Sequence, residues 1–226
     1  MDFRIKTIEE ANKYVVEQGL AKSANFTGLS IESINIAIQS VEETREKYPF
    51  VKKFYYVGVP EYSPFKSDRK FAEDEPDALA WITPLVDRKD TVGSFCISLN
   101  YFSPSEMAET KKLCQTEEAT SSWPKKCNTI KAVFDHELGH VLDYSHSEKI
   151  SDDPRIQKLY KKHMTSKSPK NSMWAVLSEY AGTDREEFLA EAWCEYRNNP
   201  KPRKVARTVG GIVDEYNEKY KQSTPI

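Results

Sequence analysis

Residues 134–144 read FDHELGHVLDY, and His136 and His140 stand four apart around Glu137 in a chain that holds only four histidines. Four residues is just over one helical turn, so the two imidazoles leave the same side of a helix and can converge on one ion. A neutral imidazole is a good zinc ligand, and Glu137, offset around the helix, reaches a water held by that metal more readily than the metal itself. This is the HExxH pattern, in which the glutamate takes a proton from zinc-bound water.

A catalytic zinc needs a third protein ligand and leaves its fourth position open. Two candidates compete. His146, six residues after His140, copies the spacing HExxHxxGxxH, but Asp143 occupies the place where that turn requires glycine. The other is Glu187 in LSEYAGTDREEFLAEAW, residues 177–193. Thr183 and Glu186 read there as a capping box that starts a second helix. Glu187 and Glu191 share one face of it, while Phe188, Leu189, Ala192 and Trp193 supply its core side. The reading prefers Glu187 as ligand, which gives a His₂Glu set, and puts Glu191 behind it to orient a ligand histidine through its free ring N–H.

HELGHVLDY followed by LSEYAGTDREEFLAEAW resembles the catalytic core of the anthrax lethal factor-like metallopeptidases. That group includes the Pro-Pro endopeptidases and toxin-like zinc peptidase domains of phages and mobile elements. The resemblance runs from about Asn128 to about Tyr196. It implies a zincin fold with one Zn2+ held by His136, His140 and Glu187, and Glu137 as general base. It also implies Tyr180 as the catalytic tyrosine that stabilises the oxyanion. Asp143 matches members with aspartate after the second histidine, which makes it a supporting residue with Glu191. The activity implied is zinc-dependent endopeptidase hydrolysis of a protein substrate. The alternative is a zincin-fold peptide-binding or virion structural module with little or no turnover.

The elements that must position these residues follow from periodicity. Helices are expected from Thr7 to about Glu17 and from Ser30 to about Lys47, strands at 54–59 and 78–83, and a long surface loop at 61–76. In GSFCISLN, residues 93–100, apolar Phe95, Ile97 and Leu99 alternate with small polar residues, the pattern of an edge strand or of a strand bordering a cleft. The resemblance makes that strand the one along which an extended peptide pairs, with Ser98 and Asn100 as neighbours of the substrate. A helix follows to about Leu113 and then a polar loop, 115–127. From Asn128, read as a helix cap, the chain is helical: 129–145, about 153–164, about 171–179, 184–197 and 203–220. Strands early and helices late give an α+β class. The division is placed near residue 50, with a helical region at 1–50 and the zincin-like metallopeptidase domain at 51–226.

Composition narrows the partners. Charged residues make up 30% of the 226 and the net charge is −2, with both signs interspersed, so no electrostatic footprint for nucleic acid emerges. No apolar run reaches membrane-spanning length, and MDFRIKTIEEANKYVVEQGL has no apolar signal core. The expected location is therefore cytoplasmic or outside the cell by a non-Sec route, and the family resemblance adds phage-associated. Cys96, Cys114, Cys127 and Cys194 form no CxxC pair and are read as free thiols, although Cys114 and Cys127 could close a loop.

Overall fold

The computed structural model describes residues 4–84, 91–146 and 148–223. Ten α-helices and one four-stranded mixed sheet lie among them, which makes the class α+β. The chain forms two compact units, residues 1–47 with 52–112, and residues 48–51 with 113–226. The division is therefore not at residue 50. Within the first unit the helix Ile8–Glu17 packs against the strand Ala21–Asn25 and against the helix Ile31–Lys47, which is why the N-terminal helices stay with the sheet.

In the first unit Thr7 caps α1 (Ile8–Glu17), its hydroxyl accepting the Glu10 amide at 3.1 Å. β1 (Ala21–Asn25) and α2 (Ile31–Lys47) follow, then β2 (Lys53–Gly58), α3 (Lys66–Asp74), β3 (Ala80–Thr83), β4 (Thr91–Ile97), α4 (Leu99–Phe102) and α5 (Met107–Ala119). The sheet order is β1-β2-β4-β3, parallel from β1 to β4 and antiparallel between β3 and β4.

This order corrects the reading of 93–100 as an edge. Val57 pairs with Phe95 on one side of β4 and Ile82 pairs with Phe95 on the other. All seven β4 residues are buried, Ser94 and Cys96 included. The small polar residues that suggested an edge are buried as fully as the apolar ones. A peptide cannot add to a strand whose backbone groups are already paired on both sides. The strand also ends at Ile97. Ser98 is buried at the start of α4, and Asn100 lies on that helical turn with its side-chain amide donating to the Pro76 carbonyl.

Other expectations change too: residues 115–119 continue the helix Met107–Ala119, 171–179 is α-helical only over Met173–Val176, and 61–76 is not a loop. The stretch 61–76 holds a 3₁₀ turn (Pro60–Tyr62) and α3. Asp68 is buried within it, accepting the Ser63 and Thr83 hydroxyls, and the Phe71 ring lies against Trp81 at 4.9 Å between centroids. Only a narrow apolar stripe anchors this helix, so its charge density hid it. β1, sequence AKSAN, carries no apolar alternation and is a strand only because β2 supplies its hydrogen-bond partners.

The second unit is helical: α6 (Ile130–Ser145), α7 (Pro154–Met164), α8 (Met173–Val176), α9 (Arg185–Asn198) and α10 (Lys204–Ser223). α6 packs on α9, and α9 on α10. Phe134, Leu138, Val141 and Leu142 from α6 are buried there, as are Phe188, Leu189, Ala192 and Trp193 from α9 and Val209 and Val213 from α10. Tyr48 and Tyr196 both donate to Asp214 of α10, at 2.7 and 2.9 Å. Among the described residues no helix is long and apolar enough to cross a membrane.

Candidate metal centre

α6 begins one residue later than expected. Thr129, not Asn128, is the cap, its hydroxyl accepting the Ala132 amide at 3.1 Å. α9 likewise starts from Asp184 rather than from a Thr183–Glu186 box, and the Asp184 carboxylate accepts the Glu186 and Glu187 amides, both at 2.8 Å. A carboxylate binds those free amides more strongly than a hydroxyl does, and its charge suits a helix N-terminus. The first turn of α9, which carries Glu187, is thereby held in place.

The helices cross very closely. A Cβ built on Gly139 would lie 2.7 Å from the Ala190 Cα. Glycine beside His140 and alanine beside Glu191 let the two backbones approach until side chains from both meet. Glu187 Oε2 lies 3.2 Å from His136 Nε2 and 3.5 Å from His140 Nε2. One ligand atom from each of the three falls within 4.8 Å of the other two, so the group could hold a metal ion. Glu187 Oε2 is buried and makes no hydrogen bond, and His140 Nδ1 is likewise without a partner. Three converging lone-pair donors with no proton shared in good geometry are a poor hydrogen-bond network and a good cation cradle.

Charge points the same way. Burial disfavours a proton on His136, yet the adjoining Glu187 and Glu191 outweigh it and raise its pKa well above the ordinary histidine value. Burial also opposes ionisation of Glu187, but His136 and His140 hold its pKa well below the usual carboxylate range. Glu137 is raised by burial, against the pull of the two histidines. Three carboxyl groups around two imidazoles thus make a pocket short of positive charge.

Around this set stand residues that hold it. Glu191 Oε1 is 2.7 Å from His136 Nδ1, and its Oε2 accepts the Ser178 hydroxyl at 2.7 Å. Ser178 Oγ in turn accepts the amide of Ala181, the neighbour of Tyr180. Tyr180 is 45% exposed, which rules out a core role, and its ring centroid is 5.9 Å from that of His136. Burial of its hydroxyl, followed by the charges of Glu187 and Glu137, raises its pKa, so the hydroxyl keeps its proton. Backbone bonds from the Glu179 and Tyr180 amides to the Ser121 and Ser122 carbonyls fix the turn that carries it.

Two residues named from sequence stand elsewhere. His146 ends α6 with its ring edge-on to Phe50 and Tyr216, and its Nδ1 accepts the Glu148 amide. It is not the third member of the cluster. Asp143 is buried and gives both oxygens to Ser151, accepting the amide at 2.8 Å and the hydroxyl at 2.7 Å. Its carboxylate ties down the chain after α6 and does not support a ligand histidine.

Sequence reasoning missed Ser178, Tyr144 and Glu186. Tyr144 continues the series His136, His140 at the same four-residue spacing, a legible signal. Its ring stacks near His140, and its hydroxyl donates to Glu186, which also accepts from Lys149. Arg203 was missed as well. It forms an ion pair with the buried Glu195 and donates to the carbonyls of Ala175 and Leu177, just before Ser178.

No protein-family model, curated protein or solved structure matches this chain.

Proposed function

We propose that this protein is a zinc endopeptidase of the zincin type, hydrolysing a peptide bond in a protein substrate. The observation that carries the reading is the spacing of the cluster. A tetrahedral zinc with ligands at about 2.0–2.1 Å separates its ligand atoms by about 3.3 Å, and Glu187 Oε2 lies 3.2 and 3.5 Å from the two histidine nitrogens. Two imidazoles and one carboxylate are a known catalytic donor set, and the set leaves one coordination position open. When bound, the ion supplies Lewis acidity for the scissile carbonyl.

The chain's own residues supply the rest. Glu137 takes a proton from the attacking water and delivers it to the leaving amine, and the rise in its pKa on burial suits both transfers. Tyr180 retains its hydroxyl proton and donates it as a hydrogen bond to the oxyanion. Its exposure lets a substrate approach. Glu191 holds the His136 ring in register. The likeness of HELGHVLDY and LSEYAGTDREEFLAEAW to the lethal factor-like peptidases supports the same assignment of roles.

The test is zinc stoichiometry by elemental analysis, on protein purified without an affinity metal. Wild type and His146→Ala are expected to hold one zinc per chain and Glu187→Ala to lose it. Glu137→Gln is expected to keep the zinc and lose all peptide hydrolysis. A wild-type chain that takes up no zinc sinks the proposal.

A further inference from the structure

We propose that Cys127 and Cys194 are a redox pair that closes to a disulfide, stapling the segment ahead of α6 onto α9. Both thiols are free and buried, and their sulfurs are 3.1 Å apart. A disulfide bond needs about 2.05 Å, so about 1 Å of approach closes it. Cys127 therefore faces Cys194, not the Cys114 that sequence spacing offered as a partner. Ala132 is the other member of their apolar cluster, and its carbonyl lies 3.3 Å from Cys194 Sγ.

The position of the pair gives the bond something to do. Cys127 ends the connection between α5 and α6, and Cys194 stands one turn beyond Glu191. That connection is the strap whose Ser121 and Ser122 carbonyls receive the Glu179 and Tyr180 amides. Ser121 and Lys126 have φ of 65° and 68°, left-handed values that side chains other than glycine disfavour. They are the non-glycine residues with positive φ among those described. A disulfide here restricts the unfolded chain and so favours the folded strap, offsetting the cost of those two backbone conformations. Cys127 places that bond one residue after the second of them.

The chemistry balances with a small-molecule disulfide such as oxidised glutathione as oxidant. Local opening of the connection, which lies outside any helix around Cys127, exposes that buried thiol. Cys127 gives up its proton, and its thiolate attacks one glutathione sulfur, releasing the other glutathione as its thiol and leaving a mixed disulfide. Cys194 attacks the Cys127 sulfur and releases the second glutathione. The pair loses two electrons and two protons, and the oxidant gains them as two thiols.

The test uses the whole wild-type chain, equilibrated over a series of oxidised-to-reduced glutathione ratios until its intact mass stops changing. Acid quenching, denaturation and N-ethylmaleimide then count the thiols. Two of the four are expected to resist alkylation at oxidising ratios, with one joined peptide containing Cys127 and Cys194, while Cys96 and Cys114 react. The oxidised protein is expected to unfold at a higher temperature than the reduced, and Cys127→Ala to show no such shift. Four reactive thiols at every ratio, a lasting glutathione adduct or a pairing through Cys96 or Cys114 overturns the inference. A joined peptide without the rise in unfolding temperature overturns the stapling role.

Discussion

Glu191 has two carboxylate oxygens and two partners, and that arithmetic links the cluster to its surroundings. One oxygen faces His136 and the other accepts from Ser178, whose own oxygen accepts the Ala181 amide. His136 and the turn bearing Tyr180 are thus linked through one carboxylate, by a 2.7 Å contact on one side and hydrogen bonds on the other. Ser178→Ala removes a donor from Glu191 and an acceptor from Ala181 at once. The expected result is metal affinity lower by about 10–100-fold, the usual effect of losing such a supporting contact. Competition against a chromophoric chelator measures it, with unchanged far-ultraviolet circular dichroism as the check on folding. Wild-type affinity in this variant contradicts the orienting role of Glu191.

Helix contact sets the dimensions of the same site. The α6–α9 crossing depends on the missing side chain of Gly139, because a Cβ there meets the Ala190 backbone at 2.7 Å. Gly139→Ala must push α9, and with it Glu187, away from His136 and His140. The expected cost is about 1–3 kcal/mol in stability, as for other overpacked cores, with loss of metal binding. Gly211→Ala in α10 is the control. Nothing lies within 4 Å of its Cβ, so the change is expected to stabilise by up to about 1 kcal/mol through helix propensity. Urea titration of both variants distinguishes packing from propensity. Equal stability for the two removes the argument from close approach. Most late helices were legible in sequence because their apolar faces recur at helical spacing; 171–179, α-helical only over Met173–Val176, was not. β1 and α3 were not, since AKSAN has no pattern of its own and α3 buries too little apolar surface to show one.

For the molecule as a whole, all three cluster residues belong to the unit formed by residues 48–51 and 113–226. A ligand that binds only the folded state stabilises it by mass action, about 2.7 kcal/mol at a hundredfold excess over Kd. Added zinc is therefore expected to slow amide hydrogen exchange in α6 and α9, while β2 and β4 exchange as before. Uniform protection across both units, or none, contradicts a cluster held by α6 and α9 alone. The sequence by itself determined the α+β class, most helices of the second unit (171–179 is α-helical only over Met173–Val176) and the shared face of His136 and His140 with Glu137 offset from it, because helical spacing is a local property. It also singled out Glu187 over His146, since an i,i+4 carboxylate pair on a second helix is equally local. Only the tertiary structure decided that β4 is interior, that Asp143 serves Ser151, that Ser178 supports Glu191 and that Cys127 faces Cys194. Each of those depends on which chemically ordinary residue a distant segment brings alongside, and no periodicity within either segment encodes that.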